Sequence, residues 1–203
     1  MAAEPPSAEK VRAGRRPGRP DTRALILQSA KTEFAEKGFD RATLRFIASR
    51  AGVGPALVHH YFGSKDDLLL AALEVPFDPR EVVPELAAAG AAGLGLRIAE
   101  RFVLIWDSEE RRLPLVALVR TSLSSEASSL VLRDGLARMI LEPISAVIDA
   151  PNARLRAQFV ASQLLGMAVA RYVLRLEPLA SAPPEVVVSA IAPTLQRYVD
   201  GDP

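Results

Sequence analysis

The stretch Thr43-Leu44-Arg45-Phe46-Ile47-Ala48, followed by Ala51-Gly52-Val53 and then by Tyr61-Phe62-Gly63-Ser64-Lys65-Asp66-Asp67-Leu68, decides the architecture of this chain. Thr43 is an N-cap residue, and Leu44, Ile47, Ala48 and Ala51 recur at the spacing of one buried helical face, which predicts a short amphipathic helix terminated by Gly52. Gly52 supplies the backbone freedom that a sharp turn needs, and Val53 fills that turn. Pro55 suits a first helical turn, so Ala56, Leu57, Val58, Tyr61 and Phe62 form a second short helix ending at Gly63. Ala48 and Ala51 are small enough for the two helices to approach, with Val53 and Leu57 plugging the angle between them. Ser64 caps a further helix through Leu68, Leu69 and Leu73.

Working outward, a first helix is expected from Asp21 or Thr22, because Ile26, Ala30 and Phe34 share a face that Leu27 and Ala35 widen. Gly38 ends it in a positive-φ position, after which Phe39 can fold back onto the core. Residues 1 to 20 are rich in Ala, Pro, Gly and Arg and read as a disordered basic arm. They hold no apolar h-region, hence no signal peptide, and no apolar run reaches the roughly 18 residues of a membrane span; a cytoplasmic chain without a membrane partner is expected.

The charge balance of +1 hides an asymmetry. Residues 10 to 65 carry 12 Lys and Arg against 4 Asp and Glu, whereas residues 76 to 203 carry 13 against 15. A basic head on a near-neutral apolar body points to nucleic acid. Two short helices joined by a Gly-containing turn are the helix-turn-helix pattern, whose second helix enters the major groove; the same turn also occurs in helical hairpins buried in a core.

The quoted string resembles the DNA-binding signature of the TetR family over about residues 21 to 73. Fainter similarity continues through Leu118-Val119-Arg120-Thr121 and from Ala161 to Ser181. The resemblance implies an all-α fold with an N-terminal three-helix helix-turn-helix domain (21 to 75) and a C-terminal helical effector-binding and dimerisation domain (76 to 203). It places Thr43, Leu57, His59 and His60 at or near the groove, with Tyr61 and Lys65 approaching phosphates. The family usually has a capping residue such as Ser where this chain has Gly54, a polar residue or Lys at Pro55, and Tyr at His59. The helix survives these changes, but two common DNA contacts are absent.

Each assignment has a plainer alternative. Lys65 is either a phosphate contact favoured by the positive helix terminus or a solvated lysine. His59 and His60 are groove contacts or core histidines. Arg15, Arg16 and Arg19 in their Pro-stiffened arm either enter a narrow minor groove or act as an electrostatic tether.

Beyond Pro76 and Pro79, taken as the domain boundary, helices are expected at about 94 to 107, 113 to 123, 126 to 149, 153 to 176 and 184 to 199. Pro114 falls where a first turn is expected, while Pro143 and Pro193 should kink or shorten their helices. Leu155, Phe159, Ser162, Gly166, Val169, Val173 and Leu176 alternate spacings of four and three, an a/d seam for a second copy. Of these, Phe159, Ser162, Gly166, Val169 and Val173 are the expected dimer contacts, and the TetR resemblance implies a four-helix bundle across a twofold axis. Phe102, Ile105, Trp106, Leu118, Met139 and Met167 line an effector cavity or fill an ordinary core. Arg120, in the apolar run Leu115 to Leu123, is expected to pair with Glu126 or with an acidic ligand.

The chain has no Cys and only two His, no metal-ligand spacing, no phosphate-binding Gly-rich loop and only scattered carboxylates. No cofactor, metal or catalytic centre is therefore expected. The reading is a homodimeric regulator of double-stranded operator DNA, a repressor released by a small-molecule effector. Its rivals are a constitutive dimeric DNA-binding protein and, further off, an enzyme on a helical scaffold.

Overall fold

The structure, a computed structural model, describes residues 21–201, and the basic arm with Arg15, Arg16 and Arg19 lies outside them. Among the described residues every regular element is a helix. α1 spans Thr22–Arg41, α2 Leu44–Arg50, α3 Pro55–Phe62 and α4 Lys65–Leu73. Asp21 caps α1, Thr43 Oγ accepts the Phe46 amide, and Gly38 has φ 73°. Helical backbone resumes for Phe39 to Arg41 beyond that glycine, so the first helix does not simply stop there.

Ser64 and Asp67 form a reciprocal capping box at α4, in which the Ser64 hydroxyl accepts the Asp67 amide and the Asp67 carboxylate accepts the Ser64 amide, both at 3.0 Å. Arg80 reaches the same carboxylate at 2.8 Å. The Ser64 hydroxyl first, then Arg80, hold the Asp67 carboxyl below the usual range. A depressed folded-state pKa gives stability that is complete above the unfolded value of about 3.9 and lost as pH falls through the folded value. In Asp67→Asn, the fall of melting temperature on acidification from about pH 5 to 3 is expected to be shallower than in the parent, as circular dichroism melts will record.

The body contains α5 (Pro79–Ala87), α6 (Leu94–Asp107), α7 (Glu109–Ser124), α8 (Glu126–Leu136), α9 (Glu142–Ser145), α10 (Ala153–Ala168) and α11 (Pro184–Asp200). π-helical turns at Ala137–Leu141 and Val169–Val173 follow α8 and α10. α5 went unforeseen, and the expected boundary prolines lie beside it, with Pro79 opening its first turn. α7 begins earlier than expected, so Pro114 sits inside it, and the Glu110 carbonyl that Pro114 cannot satisfy lies on an exposed residue open to water. The stretch from 126 to 149 is not one helix. Pro143 has no N–H and would crowd the Met139 carbonyl; the backbone widens into the π turn, where the Glu142 amide bonds Ala137, and helix ends at Ser145. Pro193, by contrast, does not end α11, which runs on to Asp200.

Two apolar cores organise the molecule. Ile26, Phe34, Ile47, Val58, Leu68 and Leu69 bury the head, and Val131 and Met139 from the α8 region complete that core. Leu94, Ile98, Phe102, Trp106, Val160, Ile191 and Leu195 are among the residues of the second core, where α6 lies closely along α11. Two buried arginines cap backbone here: Arg156 donates to the Pro151, Tyr198 and Gly201 carbonyls, and Arg171 to those of Leu179 and Ala182. Among the described residues no helix is long and apolar enough to cross a membrane.

Candidate DNA interface and interior cavity

α3 turns Val58 and Phe62 into the head's core and leaves His59, His60 and Tyr61 exposed. The core-histidine alternative is therefore excluded for both residues. His59 Nδ1 lies 2.5 Å from the Gly63 carbonyl, which can only accept, so Nδ1 carries the proton. His60 and Tyr61 pack edge to face, with ring centres 5.4 Å apart. Leu57 is half-buried, and Thr43 is exposed at the start of α2.

Lys65 is not the free surface lysine of the plainer alternative. Its ammonium lies 4.3 Å from the centre of the Phe39 ring and donates to the Asp40 carbonyl at 3.3 Å. Partial burial, the largest influence, holds it below the ordinary lysine range.

A carboxylate that sequence reasoning missed braces the helix pair. Glu33 is 1% exposed, 2.5 Å from Lys37 and 3.3 Å from Arg50, and Arg50 also pairs with Glu36 at 2.5 Å. α2 is thereby tied to α1 at its C-terminal end. The only sequence signal was the spacing of Glu33 and Lys37 by four residues, which reads as an ordinary solvated pair.

In the body, a cavity of about 280 Å³ opens among α5, α6, α7, the α8 region and α10. Phe102, Ile105, Trp106, Leu118 and Met139 line it as expected. Arg120 and Met167 do not. Arg120 points outward because the apolar run around it is one helical face carrying Leu115 and Val119, and it is exposed on the other. Met167 packs half-buried against the body core. Among the described residues Arg101 is the one charged side chain in the lining, and Glu85 pairs with it at 2.6 Å.

The expected seam on α10 divides in two. Phe159, Ser162 and Gly166 are exposed, and a Cβ built on Gly166 meets no atom within 4 Å. Val169 and Val173, lying in the π turn, are half-buried against their own core. Leu155 remains exposed, and Val186 of α11 is a further exposed apolar residue. Among the described residues, no group of three or more His, Cys, Asp or Glu is arranged to hold a metal ion.

Comparison with known proteins places the chain in a family. The model of a tetracyclin repressor-like C-terminal domain matches residues 92–199, and that of bacterial regulatory proteins of the tetR family matches residues 26–72. The HTH-type transcriptional regulator BetI of Rhizobium meliloti (strain 1021) is 43% identical over 54 residues, which are 27% of this chain and 27% of BetI. The match thus spans about a quarter of the curated relatives' length. A solved TetR-family regulator from Streptomyces coelicolor A3 is 37% identical, with 92% of this chain and 99% of that chain covered and a TM-score of 0.47. GusR of Salmonella enterica is 17% identical, with 88% and 95% covered and a TM-score of 0.46. With the C-terminal match alone extending over more than half of its length and the helix-turn-helix match preceding it, the chain belongs to the TetR family of bacterial regulatory proteins.

Proposed function

We propose that this protein is a cytoplasmic, homodimeric repressor that binds a short operator through α3 and leaves it when an uncharged apolar small molecule fills the body cavity. The observation that carries this reading is α3 itself, whose Val58 and Phe62 are satisfied in the core while His59, His60 and Tyr61 stand free of it. Leu57 and Thr43 flank that surface, and on this reading the Lys65 ammonium leaves the Asp40 carbonyl to meet phosphate. Residues 21 to 75 form the DNA-binding part and residues 76 to 203 the sensing and dimerising part. Phe159, Ser162 and Gly166 support pairing through α10 and α11, as a twofold operator with half-sites about 34 to 36 Å apart requires. The ligand class follows from the lining: Arg101 is already neutralised by Glu85, so an acidic group gains little there, while Phe102 and Trp106 offer aromatic and aliphatic surface.

The test starts from a duplex selected by the protein from random-sequence DNA. His59→Ala is expected to broaden the base preference at one operator position, a loss of about 1 to 3 kcal/mol for that base pair. Lys65→Ala is expected to weaken all duplexes alike and lower the salt slope by about one unit. Uncharged hydrophobes that raise the melting temperature should then bind more weakly when operator is saturating, by the factor with which they weaken the operator. Equal ligand affinity with and without operator leaves a constitutive DNA-binding dimer as the function. Unchanged operator recognition in both variants overturns the interface.

A further inference from the structure

The residues that line the cavity and the residues that hold the head meet on one short piece of chain, 134–141. Gly135, Leu136, Met139, Ile140 and Leu141 line the cavity. Asp134 and Arg138, interleaved with them, reach the head. Asp134 Oδ2 accepts the Phe39 amide at 2.7 Å, immediately after the positive-φ Gly38. Its other oxygen, Oδ1, is held by Arg133 at 2.9 Å. The Arg138 guanidinium lies 4.1 Å from the centre of the Phe39 ring and donates to Asp40 at 3.2 Å. Gly38 kinks α1, and Phe39 and Asp40 lie in its last helical turn, which leads through Ala42 and Thr43 into α2, so they set the entry of the helix-turn-helix. The same chain segment also touches α4, since a Cβ on Gly135 would come within 2.4 Å of Leu73 Cδ1.

We infer that Asp134, supported by Arg138, is the positioning residue through which occupancy of the cavity alters the placement of α2 and α3. This rests on the reading of the cavity as an effector site. The π turn at Ala137–Leu141 makes the segment suited to the task. Its backbone bonds span one residue more than those of an α-helix, and Pro143 just beyond it supplies no N–H to the ladder, so the helix is less tightly tied here and can flex. A molecule pressed against Met139 and Ile140 moves a segment whose next side chains hold the Phe39 amide and ring. The part-buried, charge-assisted bond from the Phe39 amide to Asp134 transmits that movement because its two ends are closely held, Asp134 at 17% exposure and Phe39 at 5%, while the exposed Arg138–Asp40 pair follows along.

The chain contains no Cys, which allows the cavity to be filled covalently without knowing its natural ligand. Ala161 lines the cavity from α10. In an Ala161→Cys background, hexyl methanethiosulfonate attaches a six-carbon chain through a mixed disulfide, releasing methanesulfinate. The affinity of the selected duplex is then measured with and without the attached chain, in the parent background, in Asp134→Ala, in Asp134→Asn and in Arg138→Met. In the parent the attached chain is expected to weaken DNA binding about tenfold or more. In Asp134→Ala the same chain should weaken it by less than about twofold, although the unmodified variant still binds DNA. Asp134→Asn keeps an oxygen for the Phe39 amide and should restore most of the coupling. Should Asp134→Ala fail to fold, Arg138→Met carries the same expectation. Coupling of parental size in the folded variants overturns this assignment and leaves the effector cavity intact. An attached chain without effect in the parent overturns the cavity reading and this inference with it.

Discussion

Gly95→Ala is expected to destabilise the body by about 3 kcal/mol and to lower its melting temperature by roughly 6 to 12 °C, although only one methyl group is added. Gly95 lies where α6 meets α11 backbone to backbone: its Cβ would fall 2.4 Å from the Gln196 nitrogen and 2.7 Å from the Ala192 oxygen. Neither atom is the end of a side chain that can swing away. The contact is also locked from both sides, because the Gly95 amide donates to Gln196 Oε1 at 2.8 Å and Gln196 Nε2 donates to the Ala91 carbonyl at 3.0 Å. Separating the helices to admit the methyl breaks these bonds as well as the packing around Leu94 and Leu195. Thermal denaturation of the variant measures the loss, and a melting temperature within 2 °C or so of the parent would show that α6 and α11 are not pressed together at this point.

Gly166→Trp is expected to do the reverse, leaving the subunit intact and abolishing its assembly. Nothing lies within 4 Å of a Cβ at Gly166, so the indole costs the individual subunit no packing, and replacing an interior helical glycine favours the helix by several tenths of a kcal/mol. The same ring stands on the face of Phe159 and Ser162, where a second copy is proposed to approach closely. Sedimentation should then report a monomer with parental helix content. Operator affinity should fall by about a hundredfold or more, because two linked heads exceed one by that order. A dimer of unchanged stability would place the interface on another face.

The helix-turn-helix was legible because its signals are local. Thr43, Gly52, Pro55, Gly63 and Ser64 act through caps and backbone conformations that involve only neighbours one to four positions away, so they can be read before the packing of the head is known. α6 was legible for a different reason: its buried residues, Leu94, Ile98, Phe102 and Ile105, keep one helical period from end to end. α5 was hidden by Pro79 and Pro84, which read as breakers, although the first needs no N–H at the start of a helix. The π turns were hidden because they add a residue to the helical period, so a seam counted at ordinary spacing does not foresee that Val169 and Val173 rest half-buried against their own core. Arg120 and Arg101 show the limit for charges. Both lie in apolar stretches, and only the packing of neighbouring helices decides that Arg101 faces the cavity beside Glu85 while Arg120 faces water. Glu33 lies at the same limit, since its burial depends on Arg50 arriving from another helix.

The completion of the head's core by Val131 and Met139 bears on how such a protein can be recombined. A head transplanted at the linker after Val75 would leave behind the two side chains that close its apolar interior and the Asp134 carboxylate that receives its Phe39 amide. The recipient body would have to present equivalent groups at the same depth. In a chimera of two relatives, α8 and its π turn therefore travel with the recognition helices as one heritable block, and the workable crossover point lies past Leu141 rather than between the head and the body.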